Sequence, residues 1–435
     1  MKKTTLLFDV SGIVDGIVDG RGNGIFFCGY NILKEFLRRD YLNIVLYCTP
    51  QKAHIFELAK KMDEHLINVP LAEYSDIDDA LAYWEGLKYQ NRVEKGSKIK
   101  RLHIKLTLVL LKLFQKISCK ICHSPQYQEI FKDVDIFFSP VGAVPDEISL
   151  IKHIKKCNII HDVIPLVVPE YKKGFKKSPF YKLFKTINKK DYYFANSEYT
   201  KQDFIKYIPK INPDNTTVIQ LSAGADYKQI TDANVFNQVK QKYNIPTDKK
   251  YLFSLCTLEP RKNLIFSIKN FIEFIKKNEI KDFVYILGGN AWGSFEDKLK
   301  AEIPDIEKYK DKIIKIGYVQ DEDMAALYSG AEMFVFPSLY EGFGMPILEA
   351  MKCGCPVICS NLTSMPEVIG DCGIQIDPKN NEDLINAFSK MYFDEKFRKQ
   401  SSIMGLKRAE LFTWERCIDT ILNKLGVAEC QKSLL

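Results

Sequence analysis

The sequence predicts an α/β protein with doubly wound parallel sheets, and three observations carry that prediction. Short apolar runs of strand length recur along all 435 residues. From about residue 250 onward they alternate with helical patterns, and strands separated by a helix return to the sheet in parallel. Several of these runs end in a histidine, a basic pair or glycines just before a helix, at the carboxyl edge where open α/β sheets hold ligands.

Taken in order, Thr4 to Val10 reads as a first strand, followed by a glycine-rich stretch from Gly12 to Gly24 in which Gly-Ile-Val-Asp occurs twice. That stretch reads as one long loop before a helix over Ile25 to Arg39. It is no dinucleotide fingerprint, because Gly22-Asn-Gly24 lacks the third glycine at the required place. Further strands read at Asn43–Cys48, Val134–Ser139, Asn158–Ile160, from Tyr192 and at Thr216–Leu221, with residues 51–95 mainly helical and Ser197 as a helix cap. In the second half, strands read at Tyr251–Cys256, Phe283–Leu287, Ile313–Ile316, Met333–Phe336, Val357–Cys359 and Ile374–Ile376, with helices between them and over 380–425.

Composition is that of an ordinary globular protein, with 46% hydrophobic and 27% charged residues. The N-terminus meets Asp9 after three apolar residues and so does not read as a secretory signal. No uncharged run approaches the roughly 20 apolar residues that cross a bilayer. Twelve cysteines then read as reduced thiols, and a cytoplasmic location is the expectation. Cys119-Lys-Ile-Cys122-His123 has the form of a haem attachment or half a zinc site. Export or a second ligand pair would be needed, so a structural role and no metal are expected. Asp133-Val-Asp135 fits a metal motif too, but acids commonly open strands.

The net charge of +7 is concentrated. Between Lys95 and Gln128 there is no acid, and Lys98, Arg101, Lys105, Lys112, Lys116 and Lys120 fall within a third of a helix circumference. A second acid-free run, Lys172 to Lys190, interleaves lysines with aromatics. Lys95–Lys120 and Lys172–Lys190 suit an anionic membrane surface. A core-packed helix with a solvated lysine face is the plainer alternative.

The chemistry centres on Ser338-Leu-Tyr-Glu-Gly-Phe-Gly-Met-Pro-Ile-Leu-Glu349. An apolar strand precedes it, and Pro346 opens a helical pattern behind it. Gly342 and Gly344 allow close backbone approach, and helix amides near Met345 can receive an anion. Glu341 and Glu349 bracket the loop with seven residues between them. This closely resembles the Glu-x7-Glu signature of family 4 retaining glycosyltransferases, which have the GT-B fold. Leu258-Glu-Pro-Arg-Lys-Asn263 matches the family's diphosphate-binding motif, with Cys256 where some members carry another arginine. His161-Asp-Val-Ile-Pro resembles its His-Asp loop, and Ala409-Glu-Leu-Phe-Thr-Trp-Glu415 resembles the run into its last helix.

The resemblance implies two Rossmann-like domains facing a cleft: an acceptor-side domain over 1–228, a donor-binding domain over 229–405, and a helix over 406–435 returning to the first. It implies a metal-independent, retaining hexosyl transfer without cofactor, from a nucleotide diphosphate sugar (GDP-mannose favoured) to a glycan or lipid-linked glycan. Arg261, Lys262 and the backbone of Gly342, Phe343, Gly344 and Met345 would bind the diphosphate and sugar. Glu349, placed in the first turn of its helix, would hold the ribose, Glu341 the transferred sugar, and His161, titrating near neutrality, would complete the pocket. Gly24 closes the glycine stretch that faces the cleft. Gly288-Gly-Asn-Ala-Trp292 and Gly317-Tyr-Val-Gln-Asp321 would line the nucleotide, the latter, with Val319, near the base. A sugar-nucleotide epimerase of the same fold would act without an acceptor. A nucleic-acid-binding protein would use only the basic runs, and no nucleic-acid partner is expected.

Overall fold

A computed structural model describes residues 3–20, 24–95, 97–121, 125–172, 175–177, 179–290 and 295–427. Twelve strands form two six-stranded sheets, parallel throughout. The first contains β1 (Thr4–Asp9), β2 (Leu42–Tyr47), β3 (Ile136–Ser139), β4 (Lys155–Ile160), β5 (Tyr192–Ala195) and β6 (Thr216–Val218), in the order β2-β1-β3-β4-β5-β6. The second contains β7 (Lys250–Leu255), β8 (Phe283–Gly288), β9 (Ile313–Gly317), β10 (Met333–Phe336), β11 (Val357–Ser360) and β12 (Ile374–Ile376), in the order β12-β11-β10-β7-β8-β9. Strands β3, β8, β10 and β11 are buried at every residue. Helices on both faces require that, which is why these strands read as unbroken apolar runs.

Each sheet reverses its winding once, between β1 and β3 and between β7 and β10. At such a switch point the connections leave in opposite directions and open a crevice at the carboxyl ends of the two strands.

Eight helices matter below: α1 (Val14–Asp19), α2 (Gly24–Leu37), α3 (Asp76–Val93), α4 (Lys98–Ile121), α5 (Glu198–Tyr207), α6 (Leu264–Lys277), α7 (Met345–Lys352) and α8 (Trp414–Leu425). Helix α1 corrects the reading of residues 12–24 as one loop. Val14 is buried, and Ile17 and Val18 pack on the main core, so apolar burial outweighs the helix cost of Gly16. Residues 21–23 lie outside the described residues.

One apolar cluster runs through both sheets and includes Ile418, Ile421 and Leu422 of α8. That helix is tied to the first half by an Arg39–Asp419 ion pair at 3.0 Å and by Lys155 Nζ donating to the Leu425 carbonyl at 2.6 Å.

Helix α4 is not the core-packed helix of the alternative reading. It buries Ile104 and Leu108 against α3 and leaves Leu102, Leu106, Leu110, Leu113, Phe114 and Ile117 exposed. The second basic run behaves oppositely: Leu183, Phe184 and Ile187 are core residues beneath its lysines. The side chains of Cys119 and Lys120, and residues Cys122 and His123, lie outside the described residues, as do 173–174 and 178. Asp135, of the other suspected metal motif, accepts the Thr5 amide at 2.8 Å and so ties the entrance of β3 to β1.

Candidate active site

The two motifs meet at the second switch point. After β7 the chain makes a short 3-10 turn over Pro260–Lys262, and Asn263 takes a left-handed conformation before α6. After β10, Pro337 to Tyr340 lead into the glycine loop and α7. Because β7 and β10 are adjacent and parallel, the two loops run side by side, and the Leu339 amide donates to the Arg261 carbonyl at 2.8 Å.

Arg261 Nη1 lies 2.9 Å from Glu341 Oε2, Lys262 Nζ 2.6 Å from Oε1, and Ser338 Oγ donates to Oε1 at 2.6 Å. Burial alone would raise the Glu341 pKa. Lys262 and Arg261 outweigh it and hold the carboxyl at about 2, so it is ionised at neutral pH. Lys262 also sits 4.9 Å from the centre of the Phe336 ring, and Arg261 pairs with Glu259, which Tyr171 engages in turn. A compact ion cluster thus stands at the carboxyl edge of β7 and β10.

The glycine loop is held by its carbonyls. Ser364 Oγ donates to the carbonyls of Glu341 (3.0 Å) and Phe343 (2.9 Å). From the other half, Ser197 Oγ and Thr200 Oγ1 donate to the Gly342 carbonyl at 2.7 and 2.9 Å. The amides of Gly342, Phe343, Gly344 and Met345 donate to no acceptor among the described residues. Unengaged amides at a helix start form an anion receptor. Glycine is needed twice here. Gly344 has φ +108° as it caps α7, and a Cβ on Gly342 would fall 1.9 Å from the His161 carbonyl oxygen. The Phe343 ring packs edge-on against Phe412, with ring centres 6.1 Å apart.

Two expectations need correction. Glu349 is the fifth residue of α7, not in its first turn, because the helix already starts at Met345, one residue ahead of Pro346. It is half-buried: Tyr328 donates to Oε2 at 2.9 Å and Tyr227 lies against the same carboxyl. Burial pushes its pKa up to about 7, against the effect of these hydroxyls. His161, at the end of β4, does not titrate near neutrality, because burial lowers its pKa. Its Nε2 bonds the Pro140 carbonyl at 2.7 Å; a carbonyl only accepts, so Nε2 carries the proton and Nδ1 is the acceptor. Gly24 and Val319, expected at the cleft and near the base, stand outside the ion cluster. Gly24 is an exposed first residue of α2, and Val319 is buried against Gly288, with no hydrogen bond or ion pair from either to the cluster. Trp292 lies outside the described residues.

Several participants were invisible to motif reading. Ser338, Ser364, Tyr328 and Thr200 are unremarkable in sequence, and Ser197, read as a cap, caps α5 and also grips Gly342. Glu367 reaches across the halves to accept the Glu198 and Tyr199 amides, both at 2.8 Å. Asp162, beside His161, is pushed up to about 6 by burial, with Arg261 among the charges opposing it. Among the described residues no cluster of three or more His, Cys, Asp or Glu side chains is placed to hold a metal.

A second crevice, of about 720 Å³, opens at the other switch point, between β1 and β3. Asp9, Tyr47 and Glu147 line it, with Lys52 and Lys182. Ser139 Oγ donates to Asp9 at 2.9 Å, and burial raises both carboxyls.

Two parallel doubly wound sheets, each with a crevice at its switch point, make the GT-B architecture. Residues 235–408 match the family model for glycosyl transferases group 1. The O-antigen chain mannosyltransferase B of Escherichia coli is 32% identical over 265 residues, covering 60% of this chain and 68% of that protein. The serotype-specific mannosyltransferase WbdA of Escherichia coli is 31% identical over 263 residues, 59% of this chain but only 31% of its own length. In structure, Anabaena HepE in complex with UDP and glucose aligns over 98% of this chain and 100% of its own, with TM-score 0.64 and 16% identity. The chain belongs to the glycosyl transferases group 1 family.

Proposed function

We propose that this protein is a family 4 enzyme that transfers mannose from GDP-mannose, with retention and without a metal, to a hydroxyl of a glycan or lipid-linked glycan in surface polysaccharide synthesis. The observation that carries the reading is the convergence of Arg261 and Lys262 on Glu341, beside free loop amides, at the β7/β10 switch point. Relatives named as O-antigen mannosyltransferases support the sugar and the pathway class.

In this reading the donor diphosphate lies against Arg261, Lys262 and the amides of Gly342 to Met345. As the bond between C1 and the phosphate oxygen breaks, these groups neutralise the charge growing on that oxygen. The acceptor oxygen bonds C1 on the same face, and its proton passes to the departing phosphate. Glu341 holds the mannose and favours its oxocarbenium-like state, and Glu349 with Tyr328 receives the ribose hydroxyls. Nδ1 of His161 accepts from a sugar hydroxyl when the halves close. The division at 1–228, 229–405 and 406–435 belongs to the same reading, with the 720 Å³ crevice of the first half as the acceptor side.

The test is a panel of GDP and UDP sugars with and without glycan acceptor, in chelator. GDP release specific to GDP-mannose, rising with acceptor and giving an α-linked product, is the expected result. Preference for another donor, release independent of acceptor, or full turnover by Glu341→Ala would overturn it.

A further inference from the structure

We propose that the outward face of α4 docks the protein onto an anionic lipid surface. The clue is a helix with two apolar sides. At about 100° per residue, Ile104 and Leu108 point one way and pack on α3. Leu102, Leu106, Leu110, Leu113, Phe114 and Ile117 occupy roughly the opposite arc, each 41–59% exposed. A globular helix needs one apolar stripe, and the second has no partner among the described residues.

Charge identifies what covers it. No acid occurs from Lys95 to Gln128, so the stripe has no acidic neighbour on its own helix. From α3, Glu85 and Asp78 face α4 on its packed side, where they engage Lys112 (2.6 Å) and Gln115 (2.6 Å). Lys98, Arg101 and Lys105 flank the stripe and pair with no carboxylate among the described residues. An apolar stripe edged by unpaired cations fits acyl chains beneath anionic headgroups. A second copy fits worse, because pairing this face with itself brings together two helices that carry only positive charge. No helix among the described residues is long and apolar enough to cross a membrane, so α4 lies in the interface.

The docking has a consequence for the site. Lys112 and Lys116 of α4 also line the 720 Å³ crevice at the first switch point. Seating α4 therefore brings that crevice to the surface where a lipid-linked acceptor is displayed. Only this consequence rests on the transfer reading; the docking does not.

The experiment is co-sedimentation of the full chain with phosphatidylcholine vesicles, with and without phosphatidylglycerol. The protein should bind only the anionic vesicles, and less as salt rises. Leu106→Ser/Leu110→Ser/Leu113→Ser should lower partitioning at least about tenfold. Ile104 and Leu108 are kept, so the α3–α4 contact and the thermal midpoint should persist. Lys98→Glu/Lys105→Glu, which alters no apolar residue, should weaken binding at least about tenfold as well. Transfer to a water-soluble acceptor should be unchanged in both variants. Absence of sedimentation at low salt, or parental binding by both variants, would overturn the docking. A dimer that the triple serine variant dissolves, with no vesicle binding, would assign the face to a second copy and overturn it too. Vesicle binding by a chain that turns over no nucleotide sugar would sustain the docking and reject the transfer reading.

Discussion

Glu349→Gln should make the protein more stable in alkaline buffer while weakening its hold on the donor. The carboxyl sits at about 7 in the fold, against 4.5 for an ordinary glutamate, because burial between Tyr328 and Tyr227 disfavours its charge. Its folded pKa is raised, so between pH 4.5 and 7 the native state binds the proton that the unfolded chain has released. Stability therefore falls as pH climbs through that window, by roughly 3 kcal/mol in all. Glutamine mimics the neutral acid: it still accepts from Tyr328 but has no charge to desolvate. At pH 5 the variant and parent should melt together, and by pH 8 the variant should melt later, by on the order of 6 °C for a unit of this size. Scanning calorimetry across that range reads the divergence. A nucleotide titration in the same cells should show weaker stabilisation of the variant, as expected if the ionisable group serves ligand rather than fold. Parallel melting curves for the two proteins from pH 5 to 8 would refute the account of Glu349.

Three further outcomes follow from the same site. Glu341→Gln has the opposite sign: its folded pKa is depressed to about 2, so its contribution is present above pH 4.5 and lost as pH falls towards 2. Denaturant titration at pH 7 should find about 3 kcal/mol lost, and a loss under about 1 kcal/mol would count against the ion cluster. Gly342→Ala forces a Cβ into the His161 carbonyl at 1.9 Å, so turnover should fall at least about tenfold as the halves part; parental turnover would remove the close approach from the argument. His161 is neutral, with its proton on Nε2, so the pH–rate profile of the parent should show no limb near 6.5 that His161→Asn abolishes.

Much of this molecule was legible because buried parallel strands and strand-end motifs are local signals. All twelve strands stand near where apolar runs placed them, and Arg261, Lys262 and Glu341 meet because parallel neighbours end on one edge. What could not be read depends on partners distant in sequence. The hydroxyls of Ser197, Thr200 and Ser364 matter only because folding sets the carbonyls of Glu341, Gly342 and Phe343 before them. The helix inside residues 12–24 exists because Val14, Ile17 and Val18 find a core. For α4, periodicity showed leucines and lysines but not which side α3 would take; Glu85 and Asp78 help to settle that.

The grip on the Gly342 carbonyl ties recognition to closure. Two hydroxyls of the first half shape a loop belonging to the second, and Glu367 of the second half completes the start of α5 in the first. Were the lobes to swing apart, the glycine loop would lose two of its anchors, and the first two amides of α5 would lose the Glu367 carboxylate at the same moment, although Ser197 would still cap the helix. Neither lobe keeps the geometry of that loop alone, so its shape is a property of the assembled pair.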